Sequence, residues 1–163
     1  GNNSTEWGDI GTTIIIDAAN GVGGFTDWTE ENSFLRQHFS PQVILDTSEK
    51  AFYDYFVRQD IKIDYLHIDG DHSYEGVKKD FELYSSIMSE NAIITIHDID
   101  QNYHDTFIVT ENAKEDFVPF DGPVKYIKDL EKNSDWNLVN LKNYRMFDKK
   151  VTSTGITLLT RKA

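Results

Sequence analysis

Apolar residues fall in short blocks along this chain, each closed by acidic, hydroxyl or glycine residues. Short apolar blocks bounded this way read as strands, and apolar positions three and four apart read as helices. Ile14-Ile15-Ile16 forms the first block, and Asp17 to Gly24 follows it as a glycine-rich turn. A helical stretch is predicted from Thr26 to Phe39, before Pro41 stops it. Val43-Ile44-Leu45 is the next strand, closed by Asp46-Thr47-Ser48. Ser48 suits the N-cap of a helix over Glu49 to Gln59, with Phe52, Tyr55 and Phe56 at helical spacing.

The clearest pattern lies between Ile63 and Asp100. A strand from Ile63 to Ile68 runs into Asp69-Gly70-Asp71-His72. A helix then places Val77, Phe81, Tyr84 and Met88 on one face, and Ala92 to Ile96 forms another strand ending in His97-Asp98-Ile99-Asp100. Adjacent parallel strands joined by such a crossover bring both polar clusters to one sheet edge, where open α/β sheets keep their ligand crevice. From Gln101 to Asp121 the periodicity dissolves, which fits either a lid or a surface excursion. Pro123 opens a helix carrying Val124, Ile127 and Leu130. Trp136 to Leu141 and Ile156 to Thr160 close the chain as an antiparallel strand pair, joined through Tyr144 to Gly155. The pattern predicts one α/β domain over residues 1–163, with a mostly parallel sheet flanked by helices.

Composition narrows this picture. The 163 residues suffice for one buried core, and no apolar run is long enough to cross a bilayer. The net charge of −12, from 16 basic and 28 acidic residues, repels phosphate backbones and argues against nucleic-acid partners. Cysteine is absent, which excludes disulfides and thiolate metal sites and is in keeping with a cytoplasmic protein. Neither a monomer nor a homo-oligomer is selected.

The two polar clusters carry the chemistry. Carboxylates and imidazoles without thiolate suit Mg²⁺ or another hard divalent ion, with Asp69, His97 and Asp98 as the favoured ligands. His72 is the best general base, and Asp71 is grouped with it as a catalytic candidate. Against this stands a bland alternative, in which Asp71 or Ser73 caps the following helix and His97 is a satisfied strand-end residue. His67 reads as packed or paired within its strand, and His38 and His104 as surface residues.

The run Ile63-Asp64-Tyr65-Leu66-His67-Ile68-Asp69-Gly70-Asp71-His72-Ser73-Tyr74-Glu75-Gly76-Val77-Lys78-Lys79-Asp80 resembles a family of class I S-adenosylmethionine-dependent methyltransferases. Family members often continue with a Pro-Gly-Gly turn, replaced here by Ser89-Glu90-Asn91, and a strand ending His-Asp, here Ala92 to Asp98. The resemblance spans Val43 to Asp98. It implies a seven-stranded Rossmann-like sheet and methyl transfer to a hydroxyl of a sugar or other small natural product. It also implies that Asp46, Ser48 and Asp69 lie near the cofactor. Related metal-dependent O-methyltransferases carry ligands at the positions of Asp69, His97 and Asp98, and several carry a catalytic Lys where this chain has His72.

Two registers remain open at the amino-terminal end. Asp17-Ala18-Ala19-Asn20-Gly21-Val22-Gly23 can be laid on the family's glycine loop, with Gly21 and Gly23 against the cofactor. Alternatively Ile14 to Asp17 is the family's second strand and Asp17 grips the cofactor ribose, the first strand and glycine loop then being absent from these residues. Asp17 is a cofactor candidate under both. The competing functions are a metal-dependent phosphoesterase and a catalytically silent binding module of the same fold.

Overall fold

The computed structural model describes residues 11–18, 41–100, 121–133, 135–142, 144–147 and 150–162. The helix expected over Thr26 to Phe39, Gly21 and Gly23, His38, His104 and nearly all of the Gln101 to Asp121 stretch lie outside them. The chain divides into two compact units, residues 1–55 and 56–163.

In the first unit, β1 (Ile14–Ile16) pairs in parallel with β2 (Gln42–Ile44), Ile15 opposite Val43. A short helix, α1 (Ser48–Ala51), follows, and its chain continues as a π-helix over Phe52–Val57 across the unit boundary. The N-cap is Thr47 rather than Ser48. Thr47 is extended (ψ 151) and its Oγ1 accepts the Lys50 N–H at 3.3 Å, while Ser48 is already helical. Ser and Thr stand side by side here, so the preference for a hydroxyl cap could not select between them.

The second unit holds a four-stranded mixed sheet in the order β3 (Ile63–Ile68), β4 (Met88–His97), β8 (Ile156–Arg161), β5 (Trp136–Leu141). β3 and β4 are parallel; β8 runs antiparallel to both β4 and β5. This bears out the α/β class and the closing antiparallel pair, with the sheet mixed because β8 inserts beside β4. The helices α2 (Tyr74–Ser85) and α3 (Gly122–Asn133) pack with it. Leu66 and Ile68 on β3 alternate toward the core, as do Ala92, Ile94 and Ile96 on β4. Leu66, Ile68, Ile94 and Ile96 meet Val77 and Phe81 from α2, Tyr126 and Ile127 from α3, and Leu159 from β8. Ile94, Ile96 and Leu159 are wholly inaccessible.

Two boundaries differ from the sequence pattern. Helix α2 ends at Ser85, and Met88 begins β4 instead of completing the helical stripe. Ile63 pairs with Met88 but Tyr65 with Ile93, so Ser89-Glu90-Asn91 sits in a bulge inside a long strand. The stretch from Tyr144 to Gly155 also contains a hairpin, β6 (Tyr144–Phe147) with β7 (Lys150–Ser153). Its two strands are only four residues each, too short for a distinct alternation signal.

Candidate active site at the carboxyl edge of β3 and β4

The parallel register puts Ile68 opposite Ile96, so the residues that follow them leave the sheet at the same edge. Asp69, His72, His97 and Asp98 come together there. His97 Nδ1 lies 3.3 Å from Asp69 Oδ1 and 3.1 Å from Asp98 Oδ1. His72 Nε2 lies 3.3 Å from the same Asp69 oxygen and 3.7 Å from Asp98 Oδ2. One carboxylate oxygen therefore serves two imidazoles, and the second carboxylate spans both.

Asp98 is only 5% exposed and adopts a left-handed backbone (φ 53), a conformation Asp tolerates better than most residues. Its N–H donates to the Gly155 carbonyl at 3.1 Å, and the Asp100 N–H donates to Thr154 at 3.0 Å. The His72 carbonyl accepts the Gly122 N–H at 3.1 Å. Sequence reasoning did not single out these supports. A glycine directly before a helix-opening proline was the available hint at Gly122.

The electrostatics follow from these contacts. The carboxylates of Asp69 and Asp98 outweigh burial and push the His97 imidazole up to about 10. Burial would raise the Asp69 carboxyl, but contacts with His72 and His97 hold it well below the usual carboxylate range. His67 pairs with Thr95 Oγ1 at 2.9 Å, and burial lowers its pKa.

Asp71 is placed in the turn that starts α2. Its Oδ1 accepts the Ser73 N–H at 2.8 Å and its Oδ2 accepts the Ser73 hydroxyl at 3.0 Å. Ser73 in turn caps α2 by accepting the Gly76 N–H at 3.0 Å. The capping role thus falls to Ser73, with Asp71 holding the cap residue, while the neighbouring imidazole enters the cluster.

Asp17 and Asp46 belong to the first unit, just past the carboxyl ends of the adjacent parallel strands β1 and β2. The Asp17 N–H donates to Ile44 O at 3.1 Å. Asp46 accepts the Thr47 N–H at 2.9 Å and forms an ion pair with Lys50, which lowers its pKa. Ser48 opens α1.

Donor atoms of Asp69, His72 and Asp98 all lie within 4.8 Å of one another. Metal–ligand bonds of roughly 2.1 Å accommodate such spacings, and the oxygen–imidazole set suits a hard divalent ion. His97, the other expected ligand, has its Nδ1 3.3 Å from Asp69 Oδ1 and 3.1 Å from Asp98 Oδ1. For a nucleoside-bearing cofactor, Asp17 and Asp46 supply carboxylate acceptors at one edge of a parallel pair, the placement that ribose recognition uses.

Parallel strands with acids and imidazoles past their carboxyl ends, flanked by helices and closed by antiparallel strands, fit the sheet of a class I methyltransferase. The "Methyltransferase domain" family matches residues 5–99, and the chain belongs to that family. Among curated proteins no significant sequence match is found. The cofactor-bound protein Rv0187 from MTB has a similar fold, with a TM-score of 0.59 and 10% identity over 95% of this chain and 63% of that one. The O-methyltransferase from Bacillus cereus, solved in complex with SAH, superposes with a TM-score of 0.51 and 10% identity over 74% of this chain and 50% of its own. The chain thus spans about half to just under two thirds of the length of these proteins.

Proposed function

We propose that this chain forms the catalytic part of an S-adenosylmethionine-dependent O-methyltransferase acting on a hydroxyl of a small molecule or sugar. The convergence of Asp69, His72, His97 and Asp98 at one strand edge carries the reading. Membership of the methyltransferase-domain family supports it, as does the fold shared with an O-methyltransferase solved with SAH. Within the first unit, Asp17, Asp46 and Ser48 are the proposed cofactor contacts.

When bound, the cofactor supplies an activated methyl group. His72 Nε2 accepts the proton of the acceptor hydroxyl, and Asp69 and Asp98, 3.3 and 3.7 Å from that nitrogen, orient the ring. His97, pushed up to about 10, stays protonated at neutral pH and offsets the charge of the two carboxylates. Asp71 acts indirectly, through the turn that presents His72.

The spacing of Asp69, His72 and Asp98 favours a second reading, with His72 as a ligand to a divalent ion that polarises the acceptor oxygen. A chelator separates the two. Turnover that survives EDTA assigns His72 as the base, and turnover lost to EDTA and restored by Mg²⁺ or Mn²⁺ assigns it as a ligand.

Calorimetry with S-adenosylhomocysteine and a methyl-transfer assay over a hydroxyl acceptor panel test the function itself. Binding with methylated product is expected. Absence of binding by the folded protein, with Mn²⁺-dependent phosphatase activity instead, would overturn the proposal.

A further inference from the structure

Two glycines beyond the segment matched by the family support the candidate site through their backbones. Gly122, the first residue of α3, donates its N–H to the His72 carbonyl at 3.1 Å. A Cβ on Gly122 would lie 2.3 Å from His72 O, 2.3 Å from Ser73 C and 2.4 Å from Tyr74 N. Those are backbone atoms, so no side-chain rotation could relieve the overlap. The start of α3 is therefore seated directly on the turn that carries His72.

Gly155 does the equivalent at Asp98. Its carbonyl accepts the Asp98 N–H at 3.1 Å where Asp98 leaves β4 in the left-handed conformation. Gly155 itself has φ 70, which a side chain rarely adopts, and a Cβ there would approach Ile99 Cδ1 to 3.0 Å.

We infer that Gly122 and Gly155 are positioning residues, Gly122 setting the His72 imidazole and Gly155 the Asp98 carboxylate. The effect on turnover rests on the methyl-transfer reading; the effect on ring position does not. Displacement of about 1 Å at a reacting group can lower turnover about 100-fold.

The test is Gly122→Ala in the full chain, read by imidazole ¹⁵N shifts of the histidines at one pH and by turnover. The His72 signals should move while those of His67, held on Thr95, stay in place, and kcat should fall about 10- to 100-fold with KM for S-adenosylmethionine little changed. Tyr74→Phe is the control for looser packing, because it removes only the 3.1 Å bond from the Tyr74 hydroxyl to Asp129. It should lower Tm and leave both the His72 signals and turnover as they were. A folded Gly122→Ala protein with unmoved His72 signals would overturn the assignment. If that variant does not fold, Gly155→Ala is read through His97, whose Nδ1 contacts Asp98, and unmoved His97 signals overturn it equally. Moved signals in a protein whose wild type methylates no acceptor uphold the positioning role and count against the methyl-transfer reading instead.

Discussion

The two parallel strand pairs end in the same kind of residue and put it to different use. At β1–β2, Asp17 and Asp46 follow three-residue strands that are only partly buried. Asp46 is satisfied locally, by the next residue's N–H and by Lys50 one helical turn on. At β3–β4, Asp98 is buried, turned into the left-handed region and shared between two imidazoles. A carboxylate at a strand end acquires its chemistry from depth and from the groups delivered to it. A half-buried acid paired with a nearby lysine stays an ordinary surface anion, ready to meet a polar ligand. A buried acid beside His97 helps to raise the pKa of that imidazole.

Substitutions can break this contrast or sharpen it. The largest effect is expected from His72→Ala, with methyl transfer falling about 10²- to 10⁴-fold as for loss of a general base. Affinity for S-adenosylhomocysteine, measured by calorimetry, should change little. Unaltered turnover would remove His72 from the chemistry.

Core substitutions come next. Ile96→Ala in β4, where the side chain is wholly inaccessible, should cost about 2–5 kcal/mol in denaturant unfolding. Ile15→Ala in the partly buried β1 should cost less than half as much. Equal losses would mean that the first pair is as firmly packed as the second.

Stability should also follow pH through the second cluster. The folded protein raises the His97 pKa from 6.5 to about 10. Its stabilisation is complete below 6.5 and is lost as pH climbs through 10. Asp69 behaves oppositely: its pKa is depressed from 3.8, so its contribution is present above that value and lost as pH falls. Metal-free protein should therefore have its highest Tm between about pH 4 and 6.5, declining on the alkaline side. His97→Asn should flatten the alkaline slope in thermal melts. An identical slope in that variant would assign the pH dependence to other groups.

Cap substitutions give smaller changes. Ser73→Ala and Thr47→Ala each remove one N-cap bond and should cost about 1 kcal/mol. Only Ser73→Ala should also lower turnover, since its turn carries His72. The smallest effect is expected from Asp46→Asn, which should leave Tm unchanged and, under the proposed role, weaken cofactor binding in calorimetry. No loss of affinity would take Asp46 out of the cofactor site.

Much of this was legible along the chain. Apolar blocks ending in Asp or His-Asp announced strands, and Pro123 announced α3. The periodic stripe Val77, Phe81 and Tyr84 is buried as its spacing required. Misreadings fell where local signals are degenerate. Adjacent Thr47 and Ser48 offer equivalent caps, Met88 fits a helix face as well as a strand start, and β6–β7 is too short to show a period. At the site, the residue types of the cluster were visible, but the division of labour was not. Asp71 and Asp69 look alike in the sequence, yet one holds a helix cap and the other meets two imidazoles.

The order of residues determined that this is an α/β chain with acids and imidazoles placed just beyond two successive strands, because alternation and punctuation are short-range properties. Only the tertiary structure decided that His97 stands between Asp69 and Asp98, that His72 and not Asp71 joins them, and that Gly122 and Gly155 bear on the turns beneath. Those outcomes depend on the parallel register of β3 and β4, on burial, and on close backbone approach between segments far apart in the chain. None of these is encoded by any one stretch of residues.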